Sequence, residues 1–265
     1  MYKFIGNKKQ YLCKTFIFIM KTSTFLLLIT VVGSIVLLPS CKKDCDEPPK
    51  TTLSLNFYPM VGNSALVYNQ EYVVNGRKLK FTKAQFYVSG ISLKNTNNTA
   101  VDTEMRYALV QALETVYSTG KIDAGNYNTL EFSIGVDSAA NHGDPTQWSA
   151  THPLYAAGIY SSYWDWTQGY VFMKLEGYVD TTTAANGNAT TGFAYHLGND
   201  NMLRNISLSI DKSIDGSETS IELNVDYAKL LEDIDLKTEI QTHSSGTDSI
   251  AEKIADKAQE AFTIR

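Results

Sequence analysis

Apolar and polar residues alternate along most of this chain. Leu53, Leu55 and Phe57 are separated by polar neighbours, the two-residue period of a strand with one buried face. Residues 67–74 read as a second extended segment, closed by Asn75-Gly76, a dipeptide that favours a tight hairpin turn. Leu79 and Phe81 resume the alternation, and residues 84–93 follow as a long strand in which Gly90 marks a bulge. Residues 107–110, 130–136, 169–178 and 193–195 are further strands, separated by polar or glycine-containing turns. Ile206, Leu208 and Ile210, then Ile221, Leu223 and Val225, alternate on either side of a turn at 211–216 and predict a hairpin. Residues 226–233 suit one or two helical turns. Ile250, Ile254, Ala258 and Ala261 have helical spacing, which places a helix over 249–262. Many short strands and one terminal helix predict an all-β fold, an antiparallel β-sandwich with a short C-terminal helix, over residues 51–265.

Before residue 50 the pattern changes. Lys21 follows Met20, and residues 25–38 are almost unbroken apolar sequence, too short for the roughly 20 residues of a membrane span. Leu38-Pro39-Ser40-Cys41 resembles a bacterial lipobox. Residues 1–40 therefore read as a signal peptide with its true start at Met20, and Cys41 as the lipidated N-terminus of the mature chain. Residues 41–50, KKDCDEPPK after the cysteine, form a charged, proline-containing tether. Its Asp44, Asp46 and Glu47 loosely match the acidic export tag of surface lipoproteins, or serve as a plain hydrophilic spacer. This places the protein in the cell envelope as an outer-membrane lipoprotein, periplasmic or surface-exposed.

Composition narrows the function. The 23 basic and 28 acidic residues give a net charge of −5 without a basic block, so nucleic acid is excluded as a partner. Cys13, Cys41 and Cys45 all precede the domain, which leaves no disulfide framework or thiolate cluster within it. No nucleophile elbow, phosphate-binding glycine loop or H-E-x-x-H motif is present, so the chain does not read as an enzyme. Asp137, Asp144 and Asp165 are loop carboxylates without calcium-loop spacing.

The chemistry is concentrated between residues 141 and 198. All three tryptophans and three of the four histidines lie there. His142 and His152 flank Trp148 in a loop, and His196 follows a short strand on the face opposite Phe193 and Tyr195. Neutral imidazoles held by rigid backbone are copper-type ligands. Solvated loop histidines and aromatics that merely pack are the alternative. Lys174 and Glu176 share a strand face and could pair there, while His243 sits in a polar QTHSSG segment as a solvated side chain.

The segments FYPMVGNSALVYNQEYVVNGRKLKFTKAQFYVSGISL, FSIGVD, NHGDPTQW, HPL, YWDWTQGYVFMKLEG and FAYHLG resemble the MbnP-like family. Its members are periplasmic or surface copper-binding proteins, similar to partners of methanobactin operons and to copper-repressible surface proteins of methanotrophs. The resemblance spans residues 53–262 and implies a single β-rich domain binding copper through histidines and an oxidised tryptophan. It implies His142 and His152 as the first metal ligands, with His196 next, and Trp148 between the first two as the leading candidate for conversion to kynurenine by a diheme peroxidase-like partner, with Trp164 and Trp166 as substitutes or structural aromatics. The expected protein is a monomeric, lipid-anchored copper-binding protein. The competing expectation is a surface carbohydrate- or protein-binding module whose tryptophans stack on sugar.

The anchoring expectation is testable on its own. Palmitate should label the wild-type precursor and not Cys41→Ala, which should leave the membrane fraction; an unlabelled wild type contradicts the lipobox.

Overall fold

The computed structural model describes residues 49–158, 162–165, 167–243 and 248–265. The expected signal peptide with its Met20 start, the lipidated Cys41, most of the tether and Trp166 lie outside the described residues.

Two sheets pack face to face. The smaller has five strands and is centred on Lys50–Val61, which pairs in parallel with Thr219–Asp226 and antiparallel with Val116–Asp123 and Ser64–Ala65. Phe262–Ile264 closes the far side of Thr219–Asp226. The larger sheet has ten strands and is built around Arg77–Asn95, a strand of 19 residues. Residues 79–86 of that strand pair with Gly169–Val179, and residues 88–95 pair with Gly125–Ile134. Arg204–Ile214 flanks Gly125–Ile134, while Thr191–Gly198 flanks Gly169–Val179 and takes Gln241–His243 in parallel beside it. The fold is an all-β sandwich, mostly antiparallel, with these two parallel pairings.

The local signals have physical counterparts. Asn75 and Gly76 both have positive φ, 50° and 73°, as the tight turn between Tyr72–Val74 and Arg77–Asn95 requires. Gly90, with φ 61°, lies where the register against Gly125–Ile134 shifts, so it is a bulge. Of residues 67–74 only Tyr72–Val74 is a strand.

Two expectations are corrected. Arg204–Ile214 and Thr219–Asp226 are not a hairpin, because the chain crosses from the larger sheet to the smaller between them. Both strands bury alternate residues, and alternation is the same whether a strand pairs with its predecessor or crosses to the facing sheet. The terminal helix is divided into Ser249–Asp256 and Ala258–Ala261, and the chain then ends as a strand. Asp248 caps the first piece by accepting from the Ile250 and Ala251 amides.

Four phenylalanines join the sheets. Phe57 and Phe262 from the smaller sheet meet Phe86 and Phe132 from the larger edge to face, with centroids 5.3–6.4 Å apart across the interface. Each is at most 2% exposed. Phe57→Ala should cost about 3–5 kcal/mol of stability by urea unfolding, through lost burial and the cavity left behind. A loss below about 1 kcal/mol would mean that the sheets are held elsewhere.

Candidate functional site

Alternation along Arg77–Asn95 sends Phe86 into the core and turns Gln85 and Tyr87 to the outward face of the larger sheet. Residues paired directly across strands share a face. The register therefore continues Gln85 into a polar row that runs Gln111, Gln85, Lys174, His196, His243. His196 Nε2 lies 2.8 Å from Glu176 Oε1, and its ring packs on that of His243 with centroids 4.7 Å apart. Burial lowers the His196 pKa, opposed by the Glu176 carboxylate, so the imidazole is neutral at pH 7. Lys174 is also shifted down, first by burial and then by Lys83. The expected Lys174–Glu176 pair is replaced by the Glu176–His196 contact.

The loop over this face is fixed by a buried amide. Asp137 caps Ser138–Asn141 and accepts from the Tyr107 hydroxyl. Asn141, 1% exposed, accepts from the Tyr170 amide at 2.8 Å and donates to Asp200 at 2.9 Å. A Cβ on Gly169 would come within 2.2 Å of the Asn141 side-chain oxygen, and Gly169 has φ 72°, so glycine is required there. The N-H-G, Q-G-Y and G-N-D segments thus meet at one side chain. Tyr170 and Tyr87 donate their hydroxyl protons to the carbonyls of Leu154 and Pro153, at 2.6 and 3.3 Å.

The predicted residues occupy three settings. His142 Nε2 lies 3.2 Å from the Asp200 carboxylate. His152 Nδ1 accepts from the Leu154 amide at 3.1 Å, and its ring stacks on Trp148 at 4.1 Å and 10°. Tyr107 meets both rings edge-on, at 5.9 and 6.0 Å. Burial lowers the His152 pKa. The Trp148 indole N–H is buried against the Tyr170 hydroxyl without completing a hydrogen bond. His196 stands apart, with His243 and Glu176. Trp164 is half-buried, and a Cβ on Gly198 would approach its ring within 2.6 Å.

Sequence reasoning missed His243 and the Glu176–His196 contact. A strand of three residues is too short to show a period, and its parallel pairing with Thr191–Gly198 is not a local property. Asp137, Asp144 and Asp165 spend their carboxylates on the amides of Ala140, Thr146, Thr167 and Gln168. Among the described residues no three His, Cys, Asp or Glu side chains stand close enough to hold an ion. The imidazoles therefore suit copper in donor type, while the fullest grouping is the His196–His243 pair.

A sequence model of the MbnP family matches residues 50–247. Among curated proteins none matches. The solved structure of MbnP from Methylosinus trichosporium is similar, with a TM-score of 0.53 and 14% identity over 77% of this chain and 87% of that one. At that identity the likeness speaks for the fold. The family match takes in every strand from Lys50–Val61 to Gln241–His243, and with them the polar row and the loop above it. The chain belongs to the MbnP family.

Proposed function

We propose that this protein binds copper in the cell envelope, anchored by lipid on Cys41, and does not turn over a substrate. Membership of the MbnP family supports the reading. The observation that carries it is the pair of imidazoles on the outward face, His196 and His243, with His196 kept neutral by burial. Copper favours imidazole nitrogen, and an imidazole must be deprotonated to ligate. His142 and His152 are the loop donors. Of these, His152 would give up its contact with the Leu154 amide, at a net cost of about 1 kcal/mol, whereas His142, like His196, can keep its Nε2 contact with a carboxylate and ligate through Nδ1. Bound copper would supply a redox-active or storable metal centre; the chain's own contribution is to place neutral nitrogens on a rigid sheet.

Trp148 is the proposed site of oxidation. Its indole nitrogen is only a donor and cannot ligate. Two equivalents of hydrogen peroxide, used through a diheme peroxidase-like partner, would break the indole C2–C3 bond and place one oxygen on each carbon, giving N-formylkynurenine and two waters. Hydrolysis would then release the formyl carbon as formate, leaving kynurenine with an aniline nitrogen and a ketone oxygen. The sugar-platform alternative has less support, because Trp148 is stacked on His152 and Trp164 is packed at Gly198 rather than lying in an exposed row.

His196→Ala should weaken copper binding at least tenfold, about 1.4 kcal/mol, in competition titrations with a chromophoric chelator. His152→Ala should weaken it less, because that side chain must leave the Leu154 amide, and His142→Ala should weaken it no more than His196→Ala. Loop variants that outweigh His196→Ala would move the centre to the loop. For Trp148, peptide mass spectrometry of native protein should find oxidised tryptophan on its peptide, absent when the protein is made in a host without the oxidising partner. Unmodified Trp148 in native, copper-loaded protein would reduce the site to histidines.

A further inference from the structure

A cavity of about 370 Å³ opens between the Tyr107–Gln111 strand and residues 150–158. It borders the candidate copper site, sharing His152 with the loop and Gln111 with the polar row, but most of its lining lies outside both. Tyr107, Tyr117 and Tyr155 line it, with Leu109, Pro153 and His152 among the other walls.

Two of the three tyrosine hydroxyls are already engaged. The Tyr107 hydroxyl is spent on Asp137. The Tyr117 hydroxyl lies 3.1 and 2.9 Å from the Leu109 and Glu114 carbonyls and accepts from the Gln111 amide. Both phenols are pushed up, chiefly by burial, and stay neutral at physiological pH. Among the described residues the lining holds no lysine or arginine, and Glu114 is its one carboxylate. Beside Glu114 the chain exposes Leu113 and Val116, 80% and 59% exposed. A wall of neutral aromatic rings with a single carboxylate at its edge attracts positive charge, because ring faces are electron-rich and nothing in the lining repels a cation. The volume is that of a small-molecule site, and Leu109 and Pro153 in the lining suit an apolar body.

We propose that this cavity binds a small organic cation, a protonated or quaternary amine carrying an apolar or aryl group. Glu114 supplies the counter-charge, the tyrosines supply the contact surface, and Leu109 and Pro153 meet the apolar part.

The probe is benzyltrimethylammonium, with benzyl alcohol as its neutral counterpart, each titrated into the folded protein and followed by calorimetry and amide chemical shifts. The cation should bind saturably and at least about fivefold more tightly than the alcohol, with shifts centred on Tyr117 and Tyr155. Glu114→Gln, an exposed and structurally mild change, should remove most of that preference while leaving the alcohol within about twofold. No saturable binding of the cation, equal affinity for both probes, or shifts centred elsewhere on the wild-type protein would overturn the proposal. So would a folded Glu114→Gln variant that keeps the full preference. Should that variant unfold early, Tyr155→Leu replaces it, with a weakened cation and an unchanged preference as the supporting and contradicting results.

Discussion

Alternation along Arg77–Asn95 is the constraint on which both core and site depend. Phe86 belongs to the four-ring junction that holds the sheets together, and its neighbours Gln85 and Tyr87 face the other way. A one-residue slip would exchange those faces, exposing phenylalanine and burying the polar row. The strand's pairing with five others in the larger sheet fixes its register from both ends. The position of His196 is thus a consequence of where Phe86 must go: Gln85 pairs with Lys174, and Lys174 with His196.

The loop above that face is held differently. Asn141, Tyr170 and Tyr87 attach it through single hydrogen bonds, each worth about 0.5–1.5 kcal/mol net. Burying a phenylalanine in the core contributes more than any one of these. Leu154 and Ala140, buried in the same core, add apolar packing to those bonds.

Much of this was legible along the chain. The period-two runs located the strands, Asn75-Gly76 the turn and Gly90 the bulge, because each acts within a few residues. What escaped depended on distance. The crossing between Arg204–Ile214 and Thr219–Asp226 looks locally like a hairpin, since both strands present one apolar face. His243 looked like a loop residue because its strand exists only through pairing with Thr191–Gly198. The three segments that converge on Asn141 were visible as motifs, but their meeting point was not: a side-chain amide can bond partners at any sequence separation. The predicted ligands were likewise found by residue type, and their separation into three settings only by their partners.

The central claim is that copper is this protein's native metal and that imidazole nitrogen holds it. Metal analysis and copper spectroscopy on protein purified from its own host test both parts at once. The account predicts about one copper per chain with nitrogen-dominated coordination, consistent with the preference of copper for imidazole. Protein that carries no copper after purification without chelators, or copper held chiefly by oxygen, would contradict it.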